Sequence, residues 1–302
     1  MRSNKETDIL VTDYVPQSDL LAEKLRESGL FKQVRSMGKI QEYHEKNKFD
    51  YIFNYHRKNA ETVENQLNFS FKEYDEIYIF HDDTWFSRYF KCANIPYNLI
   101  EDGLDNYKII SKTPFEYMVH KKDIKSFIKN FFRIGFVYCG YDKNTKSVEV
   151  NSVDGVEINH LAGKKLIEVP RKPMFDSLSV TELQTLKLIF MKDIPKFDDR
   201  KSVLLITQPL FVDGIVSSES EQIQFYRSLL QQYANGYDLI IKPHPRDNID
   251  YSTVFPQAVV LNKNMPLEII ALIEKPHFAK ILSAGSTCTN IVAADEYITE
   301  TI

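Results

Sequence analysis

The sequence predicts an α/β protein built from two doubly wound, Rossmann-like domains that face a cleft. Short apolar runs of strand-forming residues alternate with amphipathic helical segments along most of the 302 residues. One irregular stretch, residues 157–196, contains three prolines and interrupts this alternation. The polar residues best suited to chemistry follow directly after predicted strands, where such sheets bind ligands. We therefore expect an N-terminal domain over residues 1–170, including the connecting region, and a C-terminal domain over residues 171–302.

In the first domain, a strand and an amphipathic helix come first. Ser18 is predicted to cap this helix and Gly29 to end it, because the apolar residues between them recur at i, i+3 and i+4. Strands and helices then continue to alternate. Strands are predicted at residues 8–11, 33–37, 49–53, 76–80 and 97–100, and helices at residues 18–25, 59–67, 87–92 and 115–134.

The second domain repeats the alternation. A Ser/Thr-rich turn, residues 283–289, follows its last predicted strand and leads into a predicted helix start at residues 290–294. Strands are predicted at residues 202–206, 238–241, 259–261 and 279–282, and helices at residues 219–233 and 266–273.

Composition excludes several classes of protein. The chain has 38 basic and 42 acidic side chains, which argues against a nucleic-acid-binding protein. Its three cysteines lack the spacing of a disulfide framework or a zinc site. It contains neither a dinucleotide-binding fingerprint nor a P-loop. No apolar run is long enough to span a membrane, and no signal peptide is visible. We expect a cytoplasmic protein with reduced thiols, no metal site and no cofactor.

Two carboxylates, Glu101 and Asp102, follow the strand at residues 97–100 and precede Gly103. Adjacent like charges raise the pKa of one carboxyl group, which suits a general base, and glycine permits a sharp turn. An acidic turn without catalytic function is the alternative, because Asp-Gly is a common turn pair.

The most specific local signal is Lys242-Pro243-His244-Pro245, directly after the strand at residues 238–241. Two prolines hold His244 in a stiff turn beside a cation. A fixed imidazole there suits a phosphate leaving group, as a proton donor or a hydrogen-bond donor. A chance histidine in a proline turn is the alternative.

Further candidates lie after other strands. Ser286 and Thr287 are predicted at a helix N-terminus, where backbone N–H groups bind phosphate, although simple capping explains them equally well. Glu268 lies in the first turn of another predicted helix. It could accept hydrogen bonds from ribose hydroxyls, and a solvent-exposed position without a binding role is the alternative. Gln208 lies beyond the end of the strand at residues 202–206.

Taken in order, the Glu-Asp-Gly, Lys-Pro-His-Pro and Ser-Thr motifs resemble bacterial sialyltransferases of the GT-B type. The sequence is most similar to glycosyltransferase family 52, the lipooligosaccharide and capsule sialyltransferases. Residues 205–209 and the acidic stretch at residues 78–83 are also similar to that family. The resemblance covers residues 70–294, apart from the unmatched residues between 107 and 201, and depends on the order of the motifs and their positions at strand ends.

This resemblance implies an inverting, metal-independent transferase with CMP-sialic acid as donor and a glycan or glycolipid as acceptor. Glu101 or Asp102 would deprotonate the acceptor hydroxyl, with Glu101 preferred and Asp102 supporting it. His244 would contact the CMP phosphate and assist its departure. The other residues implied in donor binding are Ser286 and Thr287 for the phosphate, Glu268 for the ribose, Lys242 for its charge, and the motif residues Gln208, Pro245 and Gly103.

Two segments bear on acceptor binding and location. Residues 120–133 mix lysines with apolar residues at helical spacing, which suits either peripheral contact with the anionic inner face of the cytoplasmic membrane or a buried helix with solvated lysines. Members of the family open with a strand and a polar turn, whereas residues 8–29 look like the second unit of such a domain. We therefore expect a reduced N-terminal domain without its first strand, or a late start.

The sequence is also compatible with two other functions. The first is a GT-B transferase with another donor, such as CMP-Kdo, another nucleotide sugar or a CDP-polyol. The second is a catalytically silent GT-B protein that binds a glycan or acts in a biosynthetic assembly.

Overall fold

A computed structural model describes residues 6–15, 17–44, 48–82, 84–101, 140, 142–154, 166–190, 201–285 and 291–300. The elements in chain order are β1 (Asp8–Thr12), α1 (Ser18–Ser28), β2 (Gln33–Met37), α2 (Lys48–Glu64), a 3₁₀ turn (Phe71–Glu73), β3 (Tyr78–Ile79), α3 (Trp85–Ala93), β4 (Tyr97–Ile100), β5 (Thr145–Val150), β6 (Leu166–Glu168), α4 (Arg171–Asp176), α5 (Val180–Phe190), β7 (Ser202–Ile206), α6 (Glu219–Tyr233), β8 (Asp238–Lys242), α7 (Tyr251–Val254), β9 (Val259–Val260), α8 (Leu267–Ile273), β10 (His277–Ser283) and β11 (Ala293–Thr299).

The chain divides into two compact units. The first contains Met1–Gly38 and Leu178–Ile302, and the second contains Lys39–Ser177. The sequence assigns the first residues to the N-terminal domain, but in the structure α1 packs against α5. Val11, Ala22, Leu25 and Ile189 share one buried apolar cluster.

A five-stranded parallel sheet forms the centre of the first unit, in the order β11-β10-β7-β8-β9. All five residues of β7 are buried. An uninterrupted apolar strand needs cover on both faces of its sheet, and each fully buried aliphatic side chain contributes about 1.5–3 kcal/mol. One core cluster contains Val203, Leu205, Tyr226, Leu229 and Ile241. Another contains Leu204, Ile206, Ile270, Phe278 and Ile281.

The strands β1 and β2 form a separate two-stranded parallel sheet in the same unit. Helix α1 ends as predicted, because Gly29 adopts a left-handed conformation with φ of 64°. The predicted cap at Ser18 is wrong. Gln17 precedes the helix with φ of 56° and makes no side-chain cap hydrogen bond, so Ser18 is the first helical residue.

The second unit contains a four-stranded parallel sheet in the order β3-β4-β5-β6. Aromatic rings pack beside β4: Phe90 lies 4.8 Å from Phe71 and 5.8 Å from Tyr97 between ring centroids. Offset or edge-on ring pairs at these distances stabilise a core. These buried rings therefore belong to the core of the second unit.

The predicted α/β class with parallel sheets is confirmed. The strand predicted at residues 49–53 is wrong, because these residues lie in α2. The stretch at residues 157–196 is not irregular throughout, since β6, α4 and α5 lie within it. Ala293 and Ala294 begin β11 rather than a helix, because they pair with β10. The helix predicted at residues 115–134 lies outside the described residues.

Within the part of the chain that the structure describes, no helix combines the length and apolar character that crossing a membrane requires.

Candidate functional site

The carboxyl ends of β7 and β8 lie side by side in the first unit. Ile206 is paired with Lys242, and the backbone N–H of Thr207 donates to the Lys242 carbonyl at 3.1 Å. The predicted motif residues His244 and Pro245 follow at this edge of the sheet, and Gln208 follows the neighbouring strand. The sequence therefore places these residues correctly at one sheet edge.

Two hydrogen bonds orient the backbone N–H and the ring of His244. Its backbone N–H donates to Thr207 Oγ1 at 3.1 Å, and its ring Nδ1 accepts from the Arg246 backbone N–H at 3.1 Å. A backbone N–H can only donate, so Nδ1 must be the unprotonated nitrogen of the neutral ring. The single ring proton then lies on Nε2, which is left as a hydrogen-bond donor.

Burial lowers the pKa of His244 below its ordinary value of 6.5, and the charges of Arg246 and Lys242 lower it further. The carboxylates of Asp213 and Asp247 act in the opposite direction but are outweighed. The imidazole is accordingly neutral at pH 7. It can donate a hydrogen bond from Nε2, but it carries no positive charge.

Beneath the turn lies a buried carboxylate, Asp247, with 2% of its surface exposed. Its Oδ2 accepts from Thr207 Oγ1 at 3.1 Å, from Gln222 Nε2 at 3.0 Å and from the Tyr251 hydroxyl at 2.7 Å. Its Oδ1 accepts from the Ile249 N–H at 3.2 Å. Neither Asp247 nor Thr207 was predicted as a site residue, although Thr207 lies in the strand-end run at residues 205–209 and Asp247 is a charged residue two positions after the proline turn.

Lys242 is buried, and its ammonium group donates to the carbonyl oxygens of Pro243 at 2.8 Å and Lys263 at 3.0 Å. Lys263 in turn donates to the Asp247 carbonyl at 2.9 Å. Two lysines thus tie the proline turn to the loop after β9. The contacts of Lys242 hold the backbone of the turn, in addition to the charge that the sequence analysis assigned to this residue.

The remaining predicted binding residues differ in their surroundings. Gln208 is half-buried, and its backbone N–H and carbonyl both bond to the Tyr226 hydroxyl, at 2.7 and 3.1 Å. Pro245 is exposed, as is Glu268 in the first turn of α8. Ser286 and Thr287 lie outside the described residues, just beyond Gly285, which follows β10.

Glu101 lies in the second unit, directly after β4, and is 6% exposed. Its Oε2 accepts from the Asn151 N–H at 2.6 Å and lies 3.7 Å from Arg171 Nη2. The same guanidinium donates to the Glu101 carbonyl at 2.6 Å, and Asn151 Oδ1 accepts from the Arg171 N–H at 2.9 Å. The carboxylate is therefore held in place by residues that follow β5 and β6.

Sequence reasoning missed Asn151 and Arg171. Neither residue belongs to a short motif, and only the parallel pairing of β4, β5 and β6 brings them to Glu101. Asp102 and Gly103 lie outside the described residues. Among the described residues, no cluster of His, Cys, Asp or Glu has the arrangement of a metal site.

The His244 turn has the chemistry of an anion site. A neutral Nε2–H donor lies at the carboxyl edge of a parallel sheet, beside Arg246, which is exposed and paired with Asp213. Ligands of doubly wound sheets bind at this edge. A phosphate group placed there would accept a hydrogen bond from the His244 Nε2–H and would lie near the Arg246 guanidinium, whose charge is already partly balanced by Asp213.

The chain is similar to known proteins in sequence and in fold. The family model described as glycosyltransferase family 52 matches residues 5–296. A Haemophilus influenzae (strain Rd) protein described as uncharacterized is 30% identical over 204 residues, which is 65% of this chain and 58% of that protein. The match therefore spans less than two thirds of that relative's length.

Two solved structures are similar along nearly the whole chain. An α/β-galactoside α-2,3-sialyltransferase from Photobacterium phosphoreum has a TM-score of 0.51 at 11% identity, covering 98% of this chain and 91% of the other. The GT-B domain of a Photobacterium damselae sialyltransferase has a TM-score of 0.48 at 10% identity, covering 97% and 89%. The first likeness shows the fold, which is that of GT-B glycosyltransferases.

Proposed function

Because the chain belongs to glycosyltransferase family 52, we propose that it is a glycosyltransferase that moves sialic acid from CMP-sialic acid to a hydroxyl of a cell-surface glycan. The acceptor is a lipooligosaccharide or a capsular glycan, and the transfer inverts the anomeric centre. The observation that carries this proposal is the His244 turn, with its Nε2–H donor at the carboxyl edge of a parallel sheet.

In this proposal, His244 donates a hydrogen bond from Nε2 to the phosphate of the departing CMP. Negative charge develops on that phosphate as the glycosidic bond breaks, and a preorganised donor stabilises such charge in the transition state. The proton on Nε2 is fixed by the Arg246 N–H, so the ring needs no reorganisation when the donor binds. A neutral donor performs this role throughout the neutral pH range.

Protein groups replace a metal ion in the proposed reaction. CMP leaves with a single phosphate, whose charge can be met by hydrogen-bond donors and nearby cations. Ser286 and Thr287 are proposed to bind this phosphate, and Glu268 the cytidine ribose. The motif residues Lys242, Pro245 and Gln208 shape the turns around it.

Glu101 and Asp102 are the proposed source of the general base. The Asn151 N–H and the Arg171 guanidinium hold the Glu101 carboxylate, which suits a group that must receive a proton in a fixed direction. Glu101 remains the preferred base, with Asp102 in support. Gly103 is proposed to turn the backbone after them.

The proposed location is the cytoplasm, with peripheral contact between residues 120–133 and the inner face of the membrane. Such contact would bring the enzyme to a lipid-linked acceptor. Sedimentation with anionic vesicles tests it, and failure to cosediment at low salt would remove this part of the proposal.

Calorimetry with CMP, CDP, UDP and CMP-sialic acid, in the presence of EDTA, tests the donor. We expect selective binding of CMP and CMP-sialic acid that is weakened in His244→Ala and in the Ser286/Thr287 double alanine variant. His277→Ala is the matched control, because His277 begins β10 and pairs with Asp295 instead. Preference for CDP or UDP would indicate another donor, and absence of nucleotide binding would contradict the enzymatic proposal.

A further inference from the structure

A buried polar cluster beneath His244 has no direct part in the proposed reaction. Thr207 has no exposed surface, and Asp247 is 2% exposed. Burying a carboxylate is costly unless hydrogen bonds replace its water. Asp247 recovers this cost through four hydrogen bonds from Thr207, Gln222, Tyr251 and Ile249.

The direction of each hydrogen bond follows from the groups involved. The His244 N–H can only donate, and the Asp247 side chain accepts from the Gln222 amide and the Ile249 N–H. The Thr207 hydroxyl therefore accepts from His244 at 3.1 Å and donates to Asp247 at 3.1 Å. No other orientation of the hydroxyl satisfies both partners, so one proton position is selected.

The other donors to Asp247 are also fixed. The Phe211 N–H donates to Gln222 Oε1 at 2.8 Å, which leaves the Gln222 amide nitrogen to face Asp247. Burial and the Asp247 carboxylate raise the pKa of the Tyr251 phenol, so Tyr251 stays protonated and donates. Each of these groups is held by hydrogen bonds within the chain.

The backbone of Asp247 also stabilises the turn that contains His244. The Asp247 N–H donates to the His244 carbonyl at 3.0 Å, and Arg246, between them in sequence, supplies the N–H that faces His244 Nδ1. A change in the position of Asp247 would therefore move both hydrogen bonds that orient His244.

We propose that Thr207 and Asp247 are positioning residues, which set the direction of the His244 Nε2–H through the Thr207 hydroxyl and the turn between them. This inference rests on the proposed function only in assigning that N–H to the phosphate of the donor. The hydrogen bonds that orient His244 are made within the chain.

The test compares Thr207→Val with Thr207→Ser. Valine replaces the hydroxyl by a methyl group, whereas serine keeps the hydroxyl. In ligand-free protein, NMR of the His244 imidazole should show the Nε2–H form in the wild type and in Thr207→Ser, and a mixture of ring forms with an altered titration in Thr207→Val. Thr299→Val, the same substitution on β11, is the control and should leave His244 unchanged.

Kinetics then link the position of the ring to the reaction. Because small displacements of a positioned group cost up to about 10²-fold in rate, we expect Thr207→Val to lower kcat by about 10–100-fold and Thr207→Ser to stay close to the wild type. In a His244→Ala background, Thr207→Val should have little further effect. A purely structural role predicts independent, additive effects instead.

Tyr251→Phe serves as a second variant should Thr207→Val fail to fold, because it removes one donor to Asp247 and leaves Thr207 in place. It should disturb His244 in the same sense but less. Unchanged His244 resonances in a folded Thr207→Val or Tyr251→Phe variant would overturn the inference. A shifted His244 resonance without any CMP binding by the wild type would instead uphold the inference and contradict the proposed function.

Discussion

Arg246 and Asp213 form a bidentate ion pair, with N–O distances of 2.6 and 3.1 Å, at the exposed side of the His244 turn. Both charges act on the imidazole, and they act in opposite directions. Arg246 lowers the pKa of His244, whereas Asp213 raises it. The pair lies in solvent, so it contributes little to stability, and its main influence is on the charge of the ring.

Neutralising Arg246 and neutralising Asp213 should therefore move the pKa of His244 in opposite directions. Arg246→Gln removes a positive charge and should raise the pKa, and Asp213→Asn removes a negative charge and should lower it. NMR titration of the imidazole measures both shifts. The matched control is Arg57→Gln, which breaks an exposed ion pair with Glu61 in the other unit and should leave His244 unaffected. Shifts of the same sign in both variants would contradict this account.

The pH dependence of stability should also depend on His244. Its pKa is lower in the folded protein than in the unfolded chain, so the unfolded state binds more protons between these two values. The contribution of His244 to the free energy of unfolding is complete above its ordinary pKa of 6.5 and is lost as the pH falls below it.

Urea unfolding between pH 5 and 8 measures this contribution. His244→Gln should weaken the dependence on pH on the acid side of 6.5 and leave it unchanged above neutrality. Lys242, Asp247 and the Arg246–Asp213 pair stay in place, so the difference reports the imidazole. A His244→Gln variant that loses stability with falling pH as steeply as the wild type would show that the folded ring is not kept neutral.

Much of the fold could be predicted because consecutive aliphatic residues leave few alternatives. The apolar run Ser202–Ile206 forms a strand, as predicted. The helix Glu219–Tyr233 begins and ends at the residues that helical periodicity predicts. Residues 49–53 misled the prediction because Tyr, Phe and Ile favour strands in isolation. Asn59 and Val63, four residues apart in α2, are both fully buried on one face, and this tertiary packing outweighs the local preference.

The candidate site also contains residues that the sequence indicates and contacts that it does not. Lys242 and His244 could be predicted, because a proline turn at a strand end is visible in a linear sequence. The contact between Thr207 and Asp247 joins residues 40 positions apart and depends on the pairing of β7 with β8. The contact between Glu101 and Arg171 spans 70 positions and three strands. Register of this kind is decided by the whole sheet, and no local motif encodes it.

The values of kcat in variants of Glu101 and Asp102 should show which of the two residues is the base. Glu101→Gln keeps the shape of the side chain and an oxygen for the Asn151 N–H but removes the basic group. If Glu101 is the base, kcat should fall by about 10²–10⁴-fold while CMP affinity stays nearly constant. Asp102→Asn is the paired variant, and a severe loss there with a mild loss in Glu101→Gln would reverse the assignment.

Gly140 should be intolerant of any side chain. Its φ of 81° is costly for other residues, and an added Cβ would lie 2.2 Å from Val148 Cγ2, a fully buried side chain of β5. Strain and overpacking together predict a loss of about 2–4 kcal/mol in Gly140→Ala. Thermal unfolding measures the loss, with Gly38→Ala as control because no atom of the described residues lies within 4 Å of its added Cβ. The double variant Gly140→Ala/Val148→Ala removes the close contact but keeps the backbone strain. Equal stability of Gly140→Ala and the wild type would mean that the chain relaxes around this position.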